Sequence, residues 1–146
     1  RRVQHYGWKY DYKSRSIDQS MNLGALPVWA NKLAEQIHSL GVTPFVSDQV
    51  IINEYVKNQS IGKHVDCIPC FKDGISSLSL LEGWEMTFTH STKGLKEVIL
   101  LKPRSLMIMT GESRYMWTHE IPKRLTENSG HVRGRRVSLT FRTVIV

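Results

Sequence analysis

The amino-acid sequence predicts a mainly β fold, a sandwich or jelly roll, with one or two helices flanking the sheets. One segment has helical periodicity, and most of the chain after it consists of short apolar or alternating runs separated by turn residues. Strands and helices do not alternate along the chain, which argues against a Rossmann-like fold. A chain of 146 residues, 40% of them hydrophobic, suits a single domain spanning residues 1–146.

Residues 1–16 are basic and aromatic and have no helical period. Five aromatic or imidazole side chains alternate there with Arg and Lys, namely His5, Tyr6, Trp8, Tyr10 and Tyr12. Nucleic-acid bases stack on aromatic faces while Lys and Arg follow phosphates, so the segment favours contact with nucleic acid. The alternative is an edge strand that covers a sheet.

One amphipathic helix is predicted between Pro27 and Gly41. Its apolar side chains recur at steps of three and four residues, at Trp29, Ala30, Leu33, Ala34, Ile37 and Leu40. A proline near the start and a glycine just past the end match the residue preferences of helix termini.

Six strands are predicted after the helix, in residues 49–56, 75–81, 84–90, 97–101, 105–110 and 136–146. The breaks between them contain Gly, Asn or Pro, which are typical of turns. Residues 122–134 are polar and are predicted to form a loop.

Charge and hydropathy restrict the partners. Lys and Arg outnumber Asp and Glu by 20 to 13, and the net charge of +7 favours a polyanion such as nucleic acid, although a basic surface can also serve solubility alone. No apolar run suggests a membrane span or a signal peptide, so we expect an intracellular monomer without membrane contact.

The two cysteines, Cys67 and Cys70, form one C-x-x-C motif. Such a pair can be half of a zinc site or a redox pair, but a structural zinc site needs four ligands and the chain has no second C-x-x-C. We expect reduced, partly buried thiols.

His64 and Asp66 are the first two candidate metal ligands. Side chains two residues apart on an extended segment point the same way, so an imidazole and a carboxylate can bind one ion. His119, about fifty residues later, suits a return strand that reaches the same end of the fold. Two His and one carboxylate form the facial triad of non-haem Fe(II), and a zinc site with the same ligands is the alternative.

The last predicted strand has one apolar face and one polar face. A period of two places Arg136, Ser138, Thr140 and Arg142 on the polar face. Two inward guanidinium groups are costly to bury unpaired, so a dianion such as 2-oxoglutarate would fit between them; an exposed edge strand is the alternative.

Asn53 and Tyr55 share one face of the strand predicted in residues 49–56. Their amide and phenol can donate hydrogen bonds to the same dianion. Without the other motifs, they would be ordinary strand residues.

Together these motifs resemble the AlkB family, in order and over nearly the whole chain. The motifs are Asn53-x-Tyr55, Ile61-Gly62-x-His64-x-Asp66, Ile75-x-x-Leu78-Ser79-Leu80, Arg104-Ser105-Leu106, Met109-x-Gly111-x-x-Arg114-Tyr115-x-Trp117-x-His119 and Arg136-x-Ser138-Leu139-Thr140-Phe141-Arg142. The resemblance implies a double-stranded β-helix, which is a cupin-like jelly roll, with Fe(II) and 2-oxoglutarate as cofactors. It also implies O2 as co-substrate and oxidation of a C–H bond in a modified nucleotide or, in some relatives, a protein.

The resemblance also implies residue roles. His64, Asp66 and His119 match the iron ligands and thus the catalytic centre. By this resemblance, the distal carboxylate of 2-oxoglutarate is bound by Arg136, Ser138 and Tyr55. The iron-chelating carboxylate faces Arg142 and Asn53. A nucleotide-recognition lid, about residues 1–16, would bind substrate through His5, Tyr6 and Trp8, with Ile68 and Arg114 nearby.

Three positions depart from the family pattern. Ile68 replaces the carboxylate that DNA-repair members use to read a damaged base, which puts repair of 1-methyladenine and 3-methylcytosine in doubt. Many relatives have Asn at Ser138 and Gly at Leu81. The segment ending at His119 is similar to the tRNA-modifying branch, in which the domain is fused to a methyltransferase, so further domains outside residues 1–146 are expected.

The leading hypothesis is an oxygenase that acts on a modified base in RNA or single-stranded DNA. The alternatives are an oxygenase that acts on a protein side chain and a non-catalytic jelly roll that binds a metal or nucleic acid. The complete set of eight polar motif residues argues against the last.

Overall fold

The structure is a computed structural model that describes residues 1–146 as two antiparallel sheets facing each other. The nine strands are β1 (Arg2–Tyr6), β2 (Gln49–Tyr55), β3 (Ile61–His64), β4 (Ile75–Leu81), β5 (Trp84–His90), β6 (Lys96–Leu101), β7 (Leu106–Met109), β8 (Trp117–Ile121) and β9 (Arg136–Arg142). The helices are α1 (Val28–Ser39), a short α2 (Glu112–Tyr115) and a 3-10 turn (Gln19–Met21).

The strand order is that of a jelly roll. One sheet has the order β1-β2-β9-β4-β7 and the other β3-β8-β5-β6, so the chain crosses repeatedly between the sheets. This confirms the predicted mainly β fold. The side chains between the two sheets form one apolar core, made of Tyr55, Ile75, Trp84, Met86, Phe88, Leu101, Met109 and Ile121.

Helix α1 covers the outer face of the five-stranded sheet. Ala30, Ala34 and Ile37 lie on its buried face and pack against Val50, Leu139 and Phe141. The helix ends at Ser39, and Gly41, just past the C-cap Leu40, has a φ of +74°, a left-handed conformation that a glycine adopts without strain. The predicted helix is therefore confirmed. No helix of the structure has the length and apolar character needed to cross a membrane.

Most predicted strands are found with shifts of a few residues at their ends. Residues 75–81 and 84–90 match β4 and β5, whereas the last strand was predicted too long: β9 ends at Arg142, and residues 143–146 leave the sheet. Residues 122–134 form the predicted loop, which a buried ion pair between Arg133 Nε and Glu127 Oε1 (2.6 Å) holds together.

The backbone shows why glycine suits one position at which this chain departs from the family pattern. Leu81, at the end of β4, has a φ of +69° and is 53% exposed. This left-handed conformation favours glycine, which accounts for the glycine of many relatives at this position.

Candidate active site

The pairing of β3 with β8 brings two imidazoles together. His64 and His119 are opposite each other in this antiparallel pair, and their ring centroids are 4.3 Å apart. Asp66 follows two residues after His64, and its Oδ1 lies 3.3 Å from His64 Nε2 and 3.8 Å from His119 Nε2. One ligand atom from each residue lies within 4.8 Å of the other two. The predicted metal ligands thus converge on one point, as a facial triad requires.

The hydrogen bonds and charges around this point suit metal coordination. His64 Nδ1 lies 2.6 Å from the Gly62 carbonyl oxygen. A proton on Nδ1 donates to that oxygen, which leaves the Nε2 lone pair for a metal. Burial lowers the pKa of His119 to about 4, so its imidazole is neutral at neutral pH.

Asp66 is buried, and burial alone would raise its pKa. Arg142, together with the two His side chains, outweighs this effect and holds the pKa of Asp66 well below its usual range. The group is therefore a carboxylate, and its buried Oδ2 accepts no hydrogen bond from the protein. A free carboxylate oxygen beside two imidazoles fits a divalent cation.

The polar face of β9 lines the same site, as its period of two predicted. The Arg136 side chain is buried, with its Nη2 donating to Ser79 Oγ (2.9 Å) and its guanidinium 5.3 Å from the centre of the Tyr55 ring. The Nε atom has no hydrogen-bond partner, and burial lowers the pKa of the Arg136 guanidinium. A buried cation with a free donor fits an anion.

Arg142 lies closer to the metal ligands. Its Nε is 3.4 Å from Asp66 Oδ2 and makes no hydrogen bond. Ser138 is paired with Asn53 on one side and with Ser79 on the other, which places three short polar side chains across neighbouring strands. Burial raises the pKa of Tyr55, so its phenol stays protonated and can donate.

A cavity of about 340 Å³ joins the metal-binding and anion-binding groups. The predicted residues in its wall are Asn53, Tyr55, His64, Asp66, His119, Arg136, Ser138 and Arg142. The donor set therefore fits Fe(II) on one side of the cavity and the carboxylates of 2-oxoglutarate on the other.

The predicted substrate residues are not all at this cavity. Trp8 is buried with Ile51 and Phe71, and Tyr6 packs edge-on against Trp29 of α1. The expectation that Tyr6 and Trp8 stack on a base is therefore corrected: strand β1 pairs with β2, which turns Tyr6 toward the helix and draws Trp8 into the core.

Three further substrate assignments have different outcomes. Arg114 is buried and donates to backbone carbonyls, so it supports a loop and does not reach a substrate. Ile68 is 51% exposed and lies outside the cavity wall. His5 lines the adjacent groove, where its Nδ1 accepts a hydrogen bond from the Tyr10 backbone N–H (3.0 Å).

The expectation for the cysteines is half right. Cys67 and Cys70 are buried, more fully than predicted, but they form a disulfide with each other rather than remaining reduced. A turn after Asp66 brings the two sulfur atoms together, since the Cys70 and Phe71 backbone N–H groups both donate to the Cys67 carbonyl.

Sequence reasoning missed several residues of the cavity wall. The exposed Tyr12 and the buried Tyr10 both line the cavity, in place of Tyr6 and Trp8, and Arg15 and Lys63 add charge there. The alternation of aromatic residues at positions 8, 10 and 12 pointed to the two tyrosines. It did not indicate which of these side chains would be buried in the core.

The comparisons with known proteins agree with this geometry. The 2OG-Fe(II) oxygenase superfamily profile matches residues 2–142. The tRNA (carboxymethyluridine(34)-5-O)-methyltransferase ALKBH8 of Mus musculus is 36% identical over 164 residues, which cover 99% of this chain and 24% of the mouse protein. The DNA N6-methyl adenine demethylase of Caenorhabditis elegans is 31% identical, covering 97% of this chain and 48% of that protein.

The chain spans between a quarter and a half of the first curated relatives that it matches. It covers 70% of an uncharacterised mimivirus protein, L905, at 31% identity. Among solved structures, OsALKBH1 superposes with a TM-score of 0.73 over 97% of this chain and 77% of that one, at 19% identity, which supports the fold. The chain therefore belongs to the 2OG-Fe(II) oxygenase superfamily and, within it, to the AlkB family.

Proposed function

We propose that this domain oxidises a modified base in nucleic acid, with RNA or single-stranded DNA as the preferred substrate. Membership of the family makes it a 2-oxoglutarate dependent dioxygenase that uses Fe(II). The observation that carries the substrate proposal is a cationic groove that opens into the iron cavity.

The groove runs along the N-terminal segment. Four cationic side chains line it, namely Arg1, Lys9, Lys13 and Lys123, against one carboxylate, Asp11. Arg1, Tyr10 and Tyr12 belong to both the groove and the cavity. A single strand that lies in the groove on its phosphates can therefore pass a base over the exposed Tyr12 ring toward the metal ligands.

Each group of the site has a separate task in the reaction. Bound Fe(II) supplies oxidation of a substrate C–H bond by O2, coupled to conversion of 2-oxoglutarate to succinate and carbon dioxide. His64, Asp66 and His119 would hold the metal through two imidazoles and one carboxylate. Arg136, with Ser138 and Tyr55, would bind one carboxylate of 2-oxoglutarate, and Arg142 would bind the other.

The relatives support a nucleic-acid substrate. One is described by its action on a tRNA uridine and another as a demethylase of DNA adenine. The two descriptions differ in polymer and in base, so the groove rather than the relatives supports the preference for a single strand.

The test is succinate formation with a panel of short modified RNA and DNA strands. We expect turnover with a single-stranded substrate, and none after His64→Ala, Asp66→Ala or His119→Ala. His131→Ala is the matched control, because His131 lies on the surface 3.0 Å from Glu82 and outside the cavity. Turnover with a peptide alone would assign the domain to protein oxidation, and full activity of His119→Ala would contradict the metal site.

A further inference from the structure

We infer that the mouth of the iron cavity selects a base whose modified group is uncharged or acidic, and rejects a base that carries a fixed positive charge. This inference rests on the proposed function, since it names the class of base that the nucleic-acid site takes. Three cationic side chains at the mouth, Arg1, Arg15 and Lys63, carry it.

Arg15 is held beside the metal ligands. Its Nη2 donates to the carbonyl oxygen of Val65, the residue between His64 and Asp66, over 2.9 Å. Its own carbonyl oxygen lies 3.2 Å and 3.4 Å from the sulfur atoms of the disulfide. The side chain is therefore hydrogen-bonded to the segment that carries Asp66 and the backbone contacts the disulfide of the same segment, which places the guanidinium at the mouth.

Arg1 and Lys63 place two more charges nearby. Arg1 Nε donates to Asn53 Oδ1 over 2.8 Å, and Lys63 directly precedes His64. Neither side chain forms an ion pair with a carboxylate, and neither does Arg15. Their charge is thus available to an incoming group.

The charge of the whole cavity acts in the same direction. Five cationic side chains and one carboxylate, Asp66, line it. Fe(II) and the 2-oxoglutarate dianion cancel each other in charge, so the loaded cavity remains strongly positive. In a partly enclosed site, such a field repels a cation and attracts an anion.

The aromatic side chains do not offset this repulsion. A cationic base can bind over a tyrosine face, but the guanidinium of Arg1 is 5.9 Å from the Tyr12 ring centre and that of Arg142 is 6.0 Å from the Tyr10 ring centre. Protein cations already occupy positions close to both rings, and Tyr10 is buried, so only the exposed Tyr12 ring is left to stack with a base, and it suits an uncharged one.

The experiment compares two single-stranded oligonucleotides that differ only in one base, N6-methyladenine, which is neutral, or 1-methyladenine, which is a cation at neutral pH. We expect kcat/KM to be about tenfold or more higher for the neutral base, because a like-charge contact of about 1.4 kcal/mol gives that factor. Binding with Mn(II) and 2-oxoglutarate, measured by fluorescence anisotropy, should show the same order.

Charge variants test the cause of the selectivity. Arg15→Glu and Lys63→Glu should shift selectivity toward the cation, and Arg15→Gln, which keeps a donor for Val65 without the charge, should give an intermediate ratio. Lys102→Glu is the control, because Lys102 is exposed and lies outside the cavity and the groove. Thermal unfolding of each variant checks that it folds.

The two levels of the proposal fail differently. Equal kcat/KM for both bases, or selectivity that Arg15→Glu and Arg15→Gln leave unchanged, overturns the inference while nucleic-acid oxidation stands. Oxidation of a peptide, with no oligonucleotide bound or oxidised, overturns the proposed function and the inference together.

Discussion

Arg136 shows at the scale of one residue how the fold prepares a binding site. Its guanidinium is buried with no carboxylate near it, and only one of its nitrogens, Nη2, has a hydrogen-bond partner in a side chain, Ser79. Because a planar guanidinium can hold a carboxylate with two parallel hydrogen bonds, the site is shaped for Arg rather than for a cation in general.

We therefore expect Arg136→Lys to raise the KM for 2-oxoglutarate by about tenfold or more, which corresponds to losing about 1.4 kcal/mol of binding. The measurement is succinate formation at varied 2-oxoglutarate. Arg2→Lys is the matched control, because the Arg2 side chain is 87% exposed at the sheet edge. An unchanged KM in Arg136→Lys would place the distal carboxylate elsewhere.

His119 makes the stability of the metal-free protein depend on pH. Burial lowers its pKa from an ordinary 6.5 to about 4 in the folded chain. Between these values the unfolded chain binds a proton that the folded chain does not, so the free energy of unfolding falls as pH decreases. The lowered pKa of Asp66 acts only below that group's ordinary value of 3.8, outside this window.

Between pH 7 and pH 4.5 we expect the His119 contribution to cost about 2–3 kcal/mol of stability. The His119→Gln variant has no titrating group at this position, so its free energy of unfolding should fall by about 2–3 kcal/mol less than that of the unmodified protein over the same pH range. Urea unfolding of both proteins in the presence of a chelator measures the difference. Equal losses in the two proteins would show that His119 does not titrate differently on folding.

At the scale of elements, the short helix α2 ties two parts of the metal site together. Arg114, on α2 just before β8, donates to the carbonyl oxygens of Asp66 (2.8 Å), Cys67 (3.3 Å) and Phe71 (3.1 Å). One side chain thus holds the segment that carries Asp66 against the strand that carries His119. Each buried carbonyl that loses its hydrogen-bond donor lowers the free energy of unfolding by up to about 3 kcal/mol.

Arg114→Ala should lower the free energy of unfolding by about 2–4 kcal/mol and weaken Mn(II) binding, because the Asp66 segment loses its anchor. Chemical unfolding and calorimetric titration of the metal measure the two effects. Arg104→Ala is the control, since Arg104 is an exposed turn residue outside the site. Lower stability with unchanged metal affinity would limit Arg114 to a structural role.

Period-two patterns explain why so much of the site could be predicted. The alternation in β9 assigned Arg136 and Arg142 to the cavity face and Phe141 to the core, and the structure places them so. Pairing between β3 and β8 was much less visible, because β3 has four residues and β8 five, and neither alternates clearly. The spacing of the metal ligands indicated that His64 and His119 lie close together, but it did not indicate how long the two strands are.

The remaining errors concern contacts between distant segments. The sequence identified an aromatic N-terminal segment, but only pairing of β1 with β2 decides that Trp8 joins the core while Tyr12 reaches the cavity mouth. The same holds for Arg114, whose motif suggested a substrate contact while its partners are carbonyls of a loop about fifty residues earlier. Such outcomes depend on tertiary packing that local patterns do not contain.

At the scale of the whole molecule, cationic side chains line both the cavity and the groove that shares its mouth. The groove along residues 1–13 adds Lys9, Lys13 and Lys123 to the charges at the cavity mouth. Phosphate contacts of this kind release counterions, so the affinity for a single strand falls with salt with a slope of about −0.7 for each phosphate neutralised. The cationic side chains of the groove therefore predict both where nucleic acid binds and how its binding responds to salt.

We expect binding of a single-stranded RNA to weaken as salt rises, and Lys9→Ala and Lys13→Ala each to reduce the slope of log K against log salt by about 0.7. Lys96→Ala, on strand β6, and Lys102→Ala, just after that strand, should leave the slope unchanged, because both residues lie outside the groove. Turnover of the same modified base in a duplex should be slower, because flipping it out costs a few kcal/mol and no described element is placed to separate the strands. Anisotropy titrations from 50 to 200 mM salt measure the slopes, and equal slopes in all four variants would remove the groove from the binding site.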